Sequence, residues 1–163
     1  MSIVVSDTSP IRALDHLRLL ELLETLFGEI LIPPAVVIEL EKPRLRFARI
    51  VVSEVAFLRV VAPADRGMVD DLQMTLDPGE AEAIALAIEV GADTVLLDEA
   101  AGRDVARQRG LFPIGILGVL LQAKRQGFLD SIRPLLDRLE VELGFFISRD
   151  LRHEVLKTAE EED

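Results

Sequence analysis

Two aspartates close short apolar runs: Asp7 follows IVVS and Asp98 follows TVLL. Ile3, Val4 and Val5 are consecutive, apolar and β-branched, the composition of a strand covered on both faces. In an open parallel sheet, functional side chains gather at the carboxyl ends of the strands. If the two runs are neighbours, their carboxylates converge, and two anions in one place either raise a pKa or hold a cation. Mg²⁺ and Mn²⁺ take hard oxygen ligands, so the chemistry expected here is that of an acidic divalent-cation site. The chain has no cysteine, which excludes disulfides and thiolate metal sites.

Further acids interrupt helical apolar faces. Glu80 opens the signal DPGEAEAIALAIEVG, with Ala83, Ile84, Ala87 and Ile88 three, four, seven and eight positions on, at the N-terminal end of a buried stripe. Glu82 shares its face with Ala85 and Glu89, so one of the two glutamates is expected in a site, and Glu80 is preferred. In PPAVVIELE, Glu39 follows Val36 by three and precedes Leu40; Glu41 follows Val37 by four and fits the same description. Each acid also has a structural reading. Asp77 and Glu80 have the spacing of a capping box, Asp98 precedes a helix as caps do, and Asp7 before Thr8-Ser9-Pro10 suits an Asx turn. Glu39 on an apolar face needs a partner, for which an arginine such as Arg103 would serve.

Strand-like runs alternate with helical patterns, the signature of an α/β domain with a mainly parallel sheet. PIRALDHLRLLELLETLF reads as one helix of about four to five turns, with Ser9 as cap and Pro10 at the first position. PPAVVIELE, DPGEAEAIALAIEVG, EAAGRDVARQRG, LGVLLQAKRQG, SIRPLLDRLEVELG and ISRDLRHEVLKTAEEED read as the other helices. EILI, FLRVV and LFPIGI read as strands, with short helices on either side of FLRVV. The length of 163 residues, half of them hydrophobic, suits a single domain over residues 1–158 with a solvated acidic tail at 159–163. No apolar run is long enough to span a membrane and no secretory pattern opens the chain, so a cytoplasmic location with no membrane partner is expected. The net charge of −11 opposes phosphate binding unless bound cations restore the attraction. His16 and His153 stand on charged stretches and are expected at solvent. Phe145, Phe146 and Ile147 read as a buried strand or docking patch.

In order along nearly the whole chain, IVVSDTSP, LIPPAVVIELE, LDPGEAEAIALA, VLLDEAAGRDVARQRG and GILGVLLQAKRQG resemble the PIN-domain superfamily, in the branch of predicted nucleic-acid-binding proteins close to VapC-like toxins. The resemblance implies a three-layer α/β/α sandwich with a central, mainly parallel sheet, and a Mg²⁺- or Mn²⁺-dependent ribonuclease, a hydrolase of phosphodiesters. It puts the four family acids, catalytic and metal-ligating, on Asp7, Glu39, Glu80 and Asp98, with Ser9 in the small hydroxyl position and Glu41 and Glu82 as alternates. Arg103, one turn into the helix after Asp98, is expected to pair with a site carboxylate. Many members carry Thr-x-Asp around the fourth acid, whereas this chain has Leu97-Asp98-Glu99, so Glu99 stands as an alternate to Asp98. The third acid is Glu where Asp is commoner, and residues 43–76 match nothing in the family pattern.

The partners implied are an RNA substrate, an antitoxin protein and a second copy in a homodimer. Leu17, Leu20 and Leu23 form the candidate docking stripe unless they are core. A second reading is a catalytically degenerate PIN-like domain that binds RNA or a protein partner without cleaving. Phosphoaspartyl chemistry at Asp7 is a third, disfavoured because DTSP supplies neither the second acid nor the lysine such enzymes place near their nucleophile.

Overall fold

Val4 and Val5 are both buried because they point to opposite faces of a sheet that is covered on each side. They lie in β1 (Val4–Ser6), the centre of a five-stranded, all-parallel sheet with β2 (Ile30–Ile32), β3 (Leu58–Val60), β4 (Thr94–Leu96) and β5 (Pro113–Ile114) in the order β3-β2-β1-β4-β5. The structure, a computed structural model, describes residues 2–161. On one face pack α1 (Thr8–His16), α2 (Leu22–Phe27), α3 (Pro34–Glu41), α7 (Ile116–Arg125), α8 (Arg133–Leu143) and α9 (Arg149–Thr158). Their Ile11, Leu14, Leu23, Leu40 and Leu120 meet Val4, Ile30, Ile32 and Leu96. On the other face α4 (Arg66–Leu72), α5 (Pro78–Val90) and α6 (Ala100–Gln108) meet Val5, Val95 and Leu97. The result is a three-layer α/β/α sandwich. The strand order reverses between β1 and β4, so the crevice above that pair is the switch point where such sheets bind ligands.

Most predicted elements form, FLRVV included: it becomes β3, flanked by a 3₁₀ turn at Val52–Glu54 and by α4. The predicted long first helix does not. It breaks after His16, where the N–H groups of Arg18 and Leu19 donate to the carbonyls of Asp15 and Leu14 at 3.0 and 2.8 Å. This is a Schellman ending, whose left-handed position normally falls to glycine; here it is Arg18, with φ +59°. No glycine or proline marks the break, which is why apolar periodicity ran straight through it. Nor is Ser9 the cap: Asp7 takes that position and Pro10 lies inside the helix.

The break turns Leu17 and Leu23 into the core, and Leu20 is half-buried, so this stripe is no exposed docking face. His16 is likewise not free in solvent, since its Nε2 lies 2.7 Å from Glu142. His153 is exposed as expected. Phe145, Phe146 and Ile147 lie in the loop between α8 and α9 rather than in a strand; Ile147 is buried and Phe146 exposed. No helix among the described residues is long and apolar enough to cross a membrane.

Of the expected acidic tail, Glu162 and Asp163 lie outside the described residues, but Glu161 is docked rather than solvated. It accepts from Lys124 Nζ at 3.0 Å, Ser131 Oγ at 2.7 Å and the N–H groups of Ile132 and Arg133 at 2.8 and 3.2 Å. Those two N–H groups open α8, so the anion satisfies donors that the helix start leaves unpaired. Although burial opposes it, this set of donors pulls the Glu161 carboxyl down to about 2. A group whose pKa falls on folding adds stability above its unfolded value and loses it as pH drops through the folded one. Glu161→Gln is therefore expected to lower the Tm at pH 7 by roughly 6 °C, from about 2 kcal/mol of lost charge-assisted bonding. In thermal melts the gap between variant and wild type should shrink as pH falls from about 4.5 towards 2; an equal Tm at pH 7 would mean the dock contributes nothing.

Candidate active site

Asp7 leaves β1 with its N–H still on the strand ladder, donating to the Leu96 carbonyl at 3.0 Å. It stands at the N-cap of α1, yet its side chain makes no capping bond, so the helix start does not explain the carboxylate. The residue is 5% exposed, and Oδ1 is buried without a hydrogen-bond partner. Burial is the main reason its carboxyl is pushed up to about 8; the charges of Asp77, Glu39 and Glu80 add to the shift, and the Thr8 N–H opposes it.

Glu39 approaches the same point from α3. Its Oε2 accepts from the Thr8 hydroxyl. A Cβ on Gly79 would stand 3.0 Å from Asp7 Oδ1 and 3.0 and 3.2 Å from the two Glu39 oxygens, so the bare glycine keeps open the space the two carboxylates share. Helix α3 is held at both ends. Glu82 accepts from the Ala35 N–H at 3.0 Å and from Arg66 at 3.2 Å, while Arg12 donates to the carbonyls of Glu39 and, at 3.1 Å, Lys42. Glu82 thus fixes the helix instead of entering the space beside Asp7, and Glu41 turns to Arg49 at 3.7 Å.

Glu80 does form the capping box expected of it: its N–H donates to Asp77 Oδ1 at 2.8 Å, and its Oε1 accepts from the Asp77 N–H at 3.4 Å. That box uses only one oxygen. Oε2 is buried, without a donor, and faces Gly102 of α6, where a Cβ would meet it at 2.5 Å. Burial, then Asp77, push the Glu80 carboxyl up to about 7, with Glu99 adding to the shift.

Asp98 has different company. The register pairs Ser6 with Leu96, so Asp7 is level with Leu97 and Asp98 falls one residue later. Its Oδ1 accepts from the Ile116 N–H at 2.7 Å, at the start of α7, and its Oδ2 is buried without a partner. Burial raises its pKa; the Ile116 N–H, the Ser9 side chain and Arg103 act against the rise, and Glu99 reinforces it. Arg103 therefore sits beside Asp98, not beside Glu39 as the salt-bridge reading expected. Glu39 has Thr8 and the charge of Arg12 instead. Glu99, exposed at the cap of α6, acts on both Glu80 and Asp98.

The fold thus brings Asp7, Glu39, Glu80 and the unforeseen Asp77 within electrostatic reach of one another, while Asp98 has Ser9 and Arg103 beside it and shares the influence of Glu99 with Glu80. Among the described residues, no three of these acids close on one point as a finished metal cage. The buried polar atoms without a partner are nevertheless concentrated here: Asp7 Oδ1, Glu80 Oε2, Asp98 Oδ2 and the Nε atoms of Arg12 and Arg103. A family model described as PIN domain matches residues 3–161.

The chain belongs to the PIN domain family. No curated protein and no solved structure matches it. PIN domains are generally nucleases and typically use divalent metals, and the parallel sheet with acids at its carboxyl end is the nuclease-type fold of that family. In this PIN domain, sequence reasoning overlooked four residues around the acids. Asp77 has the local signal of a cap, and its charge also bears on Asp7 and Glu80. Of the two adjacent hydroxyls, Thr8 binds Glu39 and Ser9 serves Asp98. Gly79 and Arg12 carried no local signal, because the contacts that give them a role join α5 and α1 to α3 across the fold.

Proposed function

We propose that this PIN domain is a Mg²⁺- or Mn²⁺-dependent endoribonuclease whose metal ligands are Asp7, Glu39, Glu80 and Asp98. The observation that carries this reading is the set of three buried carboxylate oxygens, on Asp7, Glu80 and Asp98, that have no donor. A buried acceptor left without a partner costs stability, and hard anionic oxygens are the ligands these cations prefer. When bound, a divalent cation supplies Lewis acidity, lowering the pKa of water and offsetting charge on phosphate oxygens. The chain's own residues do the rest. Thr8 and Arg12 orient Glu39, the Ile116 N–H and Ser9 orient Asp98, and Gly79 leaves room between Asp7 and Glu39.

Resemblance to VapC-like toxins adds the finer reading: a toxin ribonuclease, cytoplasmic, with an antitoxin partner and a homodimeric assembly. The second reading, a degenerate PIN domain that binds without cleaving, is favoured by one observation, the lack of a closed three-acid cage among the described residues. Two measurements separate them: Mn²⁺ titration, and cleavage of a mixed structured-RNA pool in Mn²⁺ against EDTA. Metal-dependent cleavage supports the nuclease; neither binding nor cleavage by a folded chain supports the degenerate domain.

Gly79→Ala sharpens the test. Position 79 lies inside the first turn of α5, where alanine suits a helix, so the fold should survive. Its methyl group would occupy the space between Asp7 and Glu39, and Mn²⁺ affinity is expected to fall by about tenfold or more, as when groups that orient a metal's ligands are disturbed. Unchanged Mn²⁺ affinity would remove that space from the proposed site.

A further inference from the structure

Although the chain carries a net charge of −11, four of its 18 lysines and arginines fall in the segment KPRLRFAR, from Lys42 to Arg49. This segment follows α3 directly. Arg44 and Phe47 exchange backbone hydrogen bonds at 3.3 and 2.9 Å, closing a tight turn with Arg46 at φ +84°. The turn helps wall a cavity of about 390 Å³ lined by Arg12, Arg18, Arg46, Arg138 and Phe47. Acids bear on it too: Asp15 is in the lining, Glu142 pairs with Arg138 and His16, and Glu41 pairs with Arg49. Among the described residues, Arg18, Lys42, Arg44 and Arg46 have no ion pair.

A second, independent feature singles out two of these arginines. Three non-glycine residues have positive φ among the described residues, and two of them, Arg18 and Arg46, line this one cavity. Glycine would take either position without strain, one at a helix end and one in a turn. Strained backbone of this kind clusters where a side chain must meet a ligand. Both arginines bring a planar guanidinium, a fork that matches the oxygens of a phosphate.

We propose that Arg18, Arg44 and Arg46 form a subsite for the phosphodiester backbone of single-stranded RNA, beside the acidic centre. The inference rests on the nuclease reading above and adds to it the place where the strand is held. Arg12 joins the two regions: it donates to the Glu39 carbonyl and lies 5.6 Å from the centre of the Phe47 ring. A centre lined by carboxylates repels a polyanion, and a neighbouring run of unpaired guanidinium groups supplies the compensating attraction.

The test is fluorescence anisotropy with a fluorescein-labelled single-stranded RNA of about 12 nucleotides, in EDTA, over a range of salt. The double variant Arg18→Gly, Arg46→Gly is expected to bind the RNA at least about tenfold more weakly, with the slope of log K against log salt smaller by about 1.4, two contacts at about 0.7 each. Its Tm should equal or exceed that of the wild type, because glycine relieves the strain, and its Mn²⁺ affinity should not change. Arg44→Gln should weaken binding with a slope change of about half that size. Wild-type RNA affinity in either variant overturns the proposal, as it would if the arginines served an acidic protein partner instead; so does a double variant that melts below the wild type. RNA binding in EDTA is read separately from cleavage, so failure of the nuclease reading would show as metal-independent or absent cleavage while the arginine result stands by itself.

Discussion

Asp7→Asn is expected to abolish metal-dependent RNA cleavage, by on the order of 10³-fold or more, while leaving the protein folded. The magnitude follows from the charge stabilisation a bound cation supplies, several kcal/mol, at about 1.4 kcal/mol for each factor of ten. The fold should survive because the native carboxyl, pushed up to about 8, is already largely protonated at neutral pH in the metal-free protein, and asparagine has nearly the shape of that neutral acid. Its amide also offers a donor towards the two Glu39 oxygens that share the space over Gly79. At pH 7 the metal-free variant should melt within a few degrees of the wild type, and above pH 8 it should melt higher. Cleavage that persists in Asp7→Asn, in a preparation free of contaminating nuclease, would remove Asp7 from the mechanism.

The second large effect couples pH to the metal. Asp7 rises on folding from 3.8 to about 8, and Glu80 from 4.5 to about 7. Between those limits the folded chain keeps protons that the unfolded chain has released, so metal-free stability is greatest below about pH 4 as far as these groups are concerned and falls until pH passes 8. For Asp7 alone, four pKa units at about 1.4 kcal/mol each, halved for relaxation of its neighbours, give about 3 kcal/mol, or roughly 10 °C of Tm in a chain of this size. Mn²⁺ should reverse the trend, raising the Tm strongly at pH 8 and little at pH 5, because binding must displace the protons. Calorimetry near pH 6.5 should accordingly register proton release. A Tm that does not change from pH 5 to pH 9, with or without Mn²⁺, would contradict the buried, proton-holding cluster.

The sheet was legible in the sequence because its signal is local. IVVS and TVLL are short β-branched or aliphatic runs, and DPGEAEAIALAIEVG states its own helix, with Asp77 and Gly91 at its ends as read. Asp7, Glu39, Glu80 and Asp98 were visible for the same reason, each being an acid at a strand end or on an apolar helical face. What could not be read was set by contacts distant in sequence or by a broken local rule. Helical spacing favours Glu80 over Glu82 but leaves Glu39 and Glu41 level; there the neighbours differ, Thr8 for Glu39 and Arg49 for Glu41. The end of α1 was hidden because Arg18 occupies a position where glycine is the usual marker. The partners of Asp98, the Ile116 N–H, Ser9 and Arg103, likewise come from segments that no local pattern links.

The strand order has a consequence for synthesis. β1 is made before both of its partners, and the later of them, β4, ends only at Leu96. Until then Val4–Ser6 can pair on the β2 side alone, and the opposite edge offers unsatisfied peptide groups flanked by apolar side chains. Such non-local parallel pairing forms slowly and leaves intermediates prone to aggregate. A nascent chain halted before β4 should therefore need a chaperone to stay soluble. The order of the sheet thus leaves one edge of its central strand open until β4 has been made.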